Sequence, residues 1–395
     1  MAMRFTDVDA LIIGGGPGGA MSALKLARLG WRTMLVERGT RNRHKTCGHC
    51  VNRRAMEALR REGLLSAVTA NAAGNARIFR LHGLDGSSVE TSLPIARDSD
   101  AGAGLVIDRS RLDQLLRDRA VEAGVMVSQP ASARVESIGN DGAIVRVATA
   151  DRTFSVRARL LVGADGVGSA VARAAGLIAT RSAGRKFGFS FDVCNNGESR
   201  RIDRDAVEMF LVPGGYLGLV GHGLDRLHAA ALLDGRRTDA HQPLAFVRRA
   251  VEFHDRLRQL GLDRMNADDL QHLKAIGPMP WRPRNVSCSI GEAHIALVGD
   301  AAGYVEPFTG EGIGWALQSA DLLEQCAATC EPGRWMARAS REYSRLWRRH
   351  IGRRQRLCAA IAWTLERPRL AEIIVRLAAR LPRLAERVAM EVVTA

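Results

Sequence analysis

Lysine is nearly absent from this chain: 4 Lys stand against 53 Arg. In an Ala-rich sequence that skew reads as coding bias, so the formal net charge of +15 is weak evidence for a nucleic-acid partner, and none is expected. Cysteine is sparse, and its count of 7 is odd, which argues against a disulfide framework and for reduced thiols in a cytoplasmic protein. No uncharged apolar run reaches the ~18 residues that a membrane-spanning helix needs. Internal repeats and low-complexity tracts are missing too. The opening residues carry Asp7 and Asp9 and run straight into a strand pattern, which argues against a secretory signal.

What is present suggests two interleaved domains, because 395 residues exceed a single small core. An apolar run at 10–13 precedes a glycine cluster, 20–29 reads as a helix and 33–36 as a second buried strand, the opening of a parallel α/β sheet. A helix is expected at 112–123, hairpin strands at 134–149 and 153–158, and a separate buried strand at 160–162. Strand-like stretches at 186–194, 207–212, 216–220 and 226–233 then read as an antiparallel layer in its own lobe. The α/β pattern returns at 294–298, followed by a helix over 312–326, and Pro332 and Gly333 lead into a helical tail. The expected division is 1–180, 181–275, 276–330 and 331–395.

Gly14, Gly16 and Gly19 form GxGxxG between a strand and a helix. The first glycine permits the tight turn, the second lets the backbone approach a pyrophosphate, and the third packs the helix on the strand. The free amides at the helix N-terminus then face the phosphates. Glu37 ends the next strand, where a carboxylate can accept both ribose hydroxyls of an adenosine. This motif leaves NAD and FAD both open.

Two later segments, LVGADGVGS at 161–169 and ALVGDAAGYVEPFTGEGIG at 296–314, resemble further fingerprints of the flavoprotein superfamily that contains 4-hydroxybenzoate hydroxylase and the geranylgeranyl reductases. The resemblance implies a Rossmann-like, glutathione-reductase-type FAD-binding domain in two parts, with an inserted antiparallel β substrate lobe and the C-terminal helical tail. It implies FAD as the cofactor, Asp300 on a ribityl hydroxyl, Asp165 and Gly166 near the pyrophosphate and the nicotinamide approach, and Arg109 reaching the phosphate and ribityl region. Read alone, Asp300 would be a helix cap, Asp165 a turn residue and Arg109 a surface charge. Arg38 and Ile313 join the expected FAD-binding set. Pro307, Gly310 and Gly312 supply a turn that can lie close to the isoalloxazine, with a helix N-terminus favouring the reduced, anionic flavin. A second GxGxxG and a CxxxxC redox pair are missing, as is the halogenase pattern of two tryptophans before Ile-Pro. NAD(P)H is therefore expected only as a transient reductant.

TCGHC at 46–50 resembles the CGG turn of the geranylgeranyl reductases, with His49 and Cys50 where glycine is usual. Cys47 or His49 becomes a candidate proton donor or substrate contact, against the plainer reading of a small-residue turn. The CxxC has no second ligand pair, so no metal is expected. PGGYLGLV at 213–220 resembles the strand that lines the substrate cavity in those reductases, which nominates Tyr216 and makes Leu217 and Leu219 an aliphatic wall.

The tail has its own electrostatics, since 334–395 holds 15 Arg and 5 Glu. Trp335, Trp347 and Trp363 among those arginines suit an interfacial helix at an anionic membrane, or equally a helix packed on the flavin domain with a solvated Arg face. Two enzymatic readings follow: an NAD(P)H-dependent monooxygenase hydroxylating an aromatic or phenolic lipid, slightly favoured, and a reductase of isoprenoid C=C bonds. A flavin-bound membrane adaptor is the non-enzymatic alternative.

Overall fold

The computed structural model describes residues 5–93, 104–178, 186–194, 203–222, 226–235, 242–279, 282–305 and 310–381. The strand Phe5–Ile13 buries its last four residues and delivers the chain to Gly14, whose φ is 106°. A Cβ there would sit 2.2 Å from the Ala164 carbonyl oxygen, and one at Gly19 would sit 1.9 Å from that of Gly14. Only glycine lets the helix Pro17–Arg28 pack this closely on the strand. Lys25 on that helix is buried and grips Glu62 at 2.5 Å, Glu324 at 2.7 Å and Asp321 at 3.1 Å, tying it to the helix Gly312–Ala327.

Phe5–Ile13 pairs in parallel with Thr33–Val36 on one side and Thr153–Gly163 on the other. Met126–Ser128 and Ala293–Leu297 extend this parallel core, so the carboxyl ends at Ile13, Val36, Gly163 and Leu297 share one rim. The stretches 153–158 and 160–162, expected as two strands, are one. Its first half, 153–158, pairs antiparallel with Gly142–Ala148, and 155–163 pairs in parallel with Phe5–Ile13, so the chain runs through Arg159 without a turn.

The second sheet runs, among the described residues, Gln271–Met279, Lys186–Cys194, Arg226–Asp234, Gly215–Gly221, Ala206–Val212, Ile78–His82, Ser88–Ser92. Its last two strands come from well before 181, where the antiparallel lobe was expected to start. The hairpin 78–92 is half polar and none of Ile78–His82 is fully buried, so it lacks the apolar run that marked the others. One face of this sheet packs Phe189, Phe191, Phe210 and Leu217 on Phe246 of the helix Pro243–Phe253. The opposite face gathers Met209, Leu211, Tyr216 and Leu232 against Ala371 and Val375 of the helix Pro368–Arg380.

The described part of the basic tail therefore packs on both large sheets through one of its faces. Trp335 and Trp347 are 3% and 8% exposed, the Tyr343 hydroxyl donates to the Leu297 carbonyl at 2.7 Å, and Arg376 pairs with Asp85 at 2.6 Å. Trp363 is 52% exposed. Among the described residues no helix is long and apolar enough to cross a membrane.

Candidate functional site

One cavity of about 1240 Å³ opens at the carboxyl rim of the parallel sheet and continues beneath the antiparallel one. Gly14, Gly16, Gly19, Glu37, Arg38, Cys47, Arg109, Asp165, Gly166, Tyr216, Asp300, Gly310, Gly312 and Ile313 all line it. Of the residues nominated from sequence, His49 is buried behind the wall and Pro307 lies outside the described residues.

At the glycine turn the helix Pro17–Arg28 has no side-chain cap, so its first amides are left for another acceptor. A Cβ on Gly16 would meet only Lys45 Nζ, at 3.6 Å, so backbone and ammonium flank an open niche. Glu37 is oriented by the amides of Gly15 and Gly39, which donate to its two oxygens at 2.6 Å each. Each carboxylate oxygen keeps a lone pair for a further donor. Arg109 is the first residue of the helix Arg109–Glu122 and is fixed by Asp113 at 3.2 Å, which also takes Lys45 at 2.7 Å.

Asp300 is desolvated in this cavity, and burial raises its carboxyl above the ordinary range against the opposing pull of Arg109 and Lys45. Its carboxyl accepts no hydrogen bond from the described residues, so a ligand hydroxyl would satisfy it. Asp165 behaves differently. Its oxygens accept from Ser169 Oγ at 2.5 Å and from the amides of Ala170 and Val171 at 2.7 and 3.2 Å, so the carboxylate caps the helix Ala170–Ala174 and its backbone lines the cavity. Glu311, not singled out by the sequence, sits buried at the start of Gly312–Ala327. Burial pushes its carboxyl up to about 7 although Arg54 and Arg354 oppose that.

The turn at 46–50 is held from three sides. Arg109 Nη1 donates to Cys47 Sγ at 3.3 Å, and His228 Nε2 donates to the Cys47 carbonyl at 2.6 Å. His228 Nδ1 faces Asp192 Oδ1 at 2.6 Å, so the ring bridges Asp192 and the Cys47 carbonyl. Burial would raise the Asp192 carboxyl, but His228 and His272 hold it far below the ordinary range. His49 stacks on His228 with ring centroids 3.5 Å apart, and burial first, then His228 and His222, keep its imidazole neutral. Burial likewise lowers His222, while pushing the Cys50 thiol up to about 12.

Leu217 corrects the expected aliphatic wall. Strand alternation turns it away from Tyr216 into the core beside Phe210, and Leu219 belongs to the same core while touching the cavity. The aliphatic wall comes instead from Leu81, Val89, Met209, Leu232 and Ile276, with Ile361, Ile374 and Leu377 of the tail.

A model of the FAD binding domain matches residues 7–212. The chain belongs to this family of FAD-binding proteins. It is an FAD-dependent oxidoreductase of the superfamily shared by geranylgeranyl reductases and 4-hydroxybenzoate hydroxylase. A digeranylgeranylglycerophospholipid reductase of Methanothermobacter thermautotrophicus is 28% identical over 362 residues, 89% of this chain and 85% of its own. Among solved structures, a myxobacterial chondrochloren halogenase superposes with a TM-score of 0.77 at 21% identity, covering 97% of this chain and 92% of its own. A geranylgeranyl bacteriochlorophyll reductase-like protein of Thermoplasma acidophilum gives 0.71 at 20%, covering 92% and 88%. These two share the fold.

The residues present fit FAD. The niche at Gly16 with Lys45 suits a pyrophosphate, Glu37 keeps acceptors for a ribose, and the desolvated Asp300 carboxyl lacks a donor that a polyol chain has.

Proposed function

We propose that this flavoenzyme takes hydride from NAD(P)H and delivers it to isoprenoid-type C=C bonds of a lipophilic substrate. The observation that carries the reading is a continuous cavity, which joins the polar niche at Gly16 and Asp300 to a wall of aliphatic side chains. Such a wall gains free energy from covering a flexible hydrocarbon, about 25 cal/mol per Å² of apolar surface, and does so without orienting groups. Several of the relatives are named digeranylgeranylglycerophospholipid reductases, which supports the same choice. Hydroxylation of an aromatic lipid, slightly favoured by the sequence, stands second, since the fold serves both reactions.

Bound FAD, once reduced, supplies the hydride. The chain's own residues have the complementary task of delivering one proton to the other alkene carbon. Cys47 is placed for it: the thiol lines the cavity, and the Arg109 guanidinium at 3.3 Å stabilises the thiolate left behind. Asp113 and Lys45 hold Arg109 in that position. Tyr216 contributes to the wall beside the substrate. The lipid would be collected from a membrane surface by a cytoplasmic protein in peripheral contact with it. The outward side of 353–381 exposes Leu357, Trp363, Ile373 and Leu377 among arginines, a pattern that supports shallow contact with anionic headgroups.

The test is NAD(P)H consumption with a geranylgeranyl lipid, in air and without oxygen. Reduction predicts that lipid-stimulated consumption persists anaerobically and that the product gains hydrogen only. Consumption that requires oxygen, with an oxygen atom in the product, would establish the monooxygenase instead.

A further inference from the structure

Behind the cavity wall at Cys47 lies a cluster that the flavin and lipid readings leave unused. His49 comes from the 46–50 turn, Asp108 precedes the helix Arg109–Glu122, and His222 follows the strand Gly215–Gly221. One ligand-capable atom from each lies within 4.8 Å of the other two. His49 Nδ1 and His222 Nε2 are buried with no hydrogen-bond partner among the described residues, and His49 is only 3% exposed. Native interiors rarely leave such nitrogens unmatched.

The backbone is bent to make the cluster. The non-glycine residues with left-handed φ among those described are His49 at 57° and His272 at 53°. His272 donates to Asp192 at 3.0 Å, and Asp192 in turn fixes the His228 ring on which His49 stacks. The plane of His49 is therefore set in advance. Asp108 spends Oδ1 on capping its helix, accepting from the Ser110 amide at 2.6 Å and the Arg111 amide at 3.3 Å. Its Oδ2 stands 3.8 Å from His44 Nδ1, beyond hydrogen-bonding range.

We propose that His49, Asp108 and His222 bind one divalent transition-metal ion of the zinc type. Two imidazoles and one carboxylate form a three-ligand set that leaves a further coordination position for water. Ligand atoms that lie within 4.8 Å of one another are near enough for small side-chain rotations to bring them onto one ~2.1 Å coordination sphere. The partners that orient His49 act as its outer shell. The ion would be a positioning site, because it joins the turn carrying Cys47, the helix carrying Arg109 and the antiparallel sheet. The proposal is independent of which reaction the flavin performs.

The test uses the untagged full-length holoprotein, stripped with a chelator, desalted, incubated with Zn²⁺ and passed through gel filtration. The wild type should retain one zinc per chain by elemental analysis. His222→Ala and Asp108→Asn should each weaken retention roughly tenfold or more while keeping the flavin absorbance, and Cys50→Ser should keep the metal. Zn²⁺ should also raise the Tm of the wild-type holoprotein, and Mg²⁺, which prefers oxygen ligands, should not. A wild type that retains no zinc and shows no Tm shift overturns the proposal, as does full retention in His222→Ala.

Discussion

Asp300 has a charge-capable group in a desolvated place with no donor to meet it, which is costly without a ligand. Asp300→Ala is expected to weaken FAD retention by on the order of 1.5–3 kcal/mol, roughly 10- to 100-fold in Kd, measured by flavin release on dilution. Cys47→Ala should leave FAD bound and reduce turnover strongly, because its thiol meets Arg109 away from the glycine turn; unchanged kinetics would return Cys47 to a packing role. Glu311 gives a pH dependence. Folded, its carboxyl holds a proton up to about 7, against 4.5 for the ordinary group, so between these values the native state binds more protons than the unfolded one. Stability from this group therefore falls as pH rises through that window, by at most roughly 3 kcal/mol, and is flat above it. Denaturant midpoints should show Glu311→Gln gaining on the wild type at pH 8 and matching it near pH 4.5. Sequence alone brought out Gly14, Glu37 and Asp300 because their chemistry sits in short local motifs. It was silent on Glu311, His222 and Asp192, whose roles depend on burial and on partners far along the chain.

The strands 33–36 and 186–194 were legible to the residue, since apolar runs bounded by turn residues need no tertiary information. The hairpin 78–92 was not, because its residues stay half-exposed at the sheet edge. In the tail the sequence left membrane contact and packing on the flavin domain equally open, and Trp335 and Trp347 take the second course: both belong to the core, and Trp335 meets Trp31 edge to face at 6.3 Å. A chain ending near Gly333 would strip these residues and Tyr343 from the flavin domain, so membrane contact is better tested by surface substitution. Ile373 and Leu377 are 53% and 49% exposed on the helix whose inner face holds Ala371 and Val375. Replacing both with Ser should lower binding to anionic vesicles by about 1 kcal/mol per residue, roughly fivefold each, with no loss of FAD. Binding by both forms should weaken as salt rises. Equal flotation of wild type and double variant would place the contact elsewhere.

At the scale of the whole molecule, the two large sheets followed from the order of strand patterns, and the cavity they share did not. Its wall combines 78–92, the antiparallel sheet and the last helix, segments that only the folded chain brings together. That wall ends where Ile374, Leu377 and Leu381 both line the void and remain 42–50% open to solvent. Under the proposed function this unfinished rim acts as a ruler of fixed length. Each methylene of a substrate tail that lies inside contributes about 0.8 kcal/mol, close to fourfold in kcat/KM, and each one beyond the rim stays in whatever surrounds the protein and contributes nothing. A homologous series of lipids should therefore improve with chain length up to one break point and then level off. Selection among longer lipids then falls to the end that reaches Cys47, so one enzyme would process tails of many lengths at nearly the same rate.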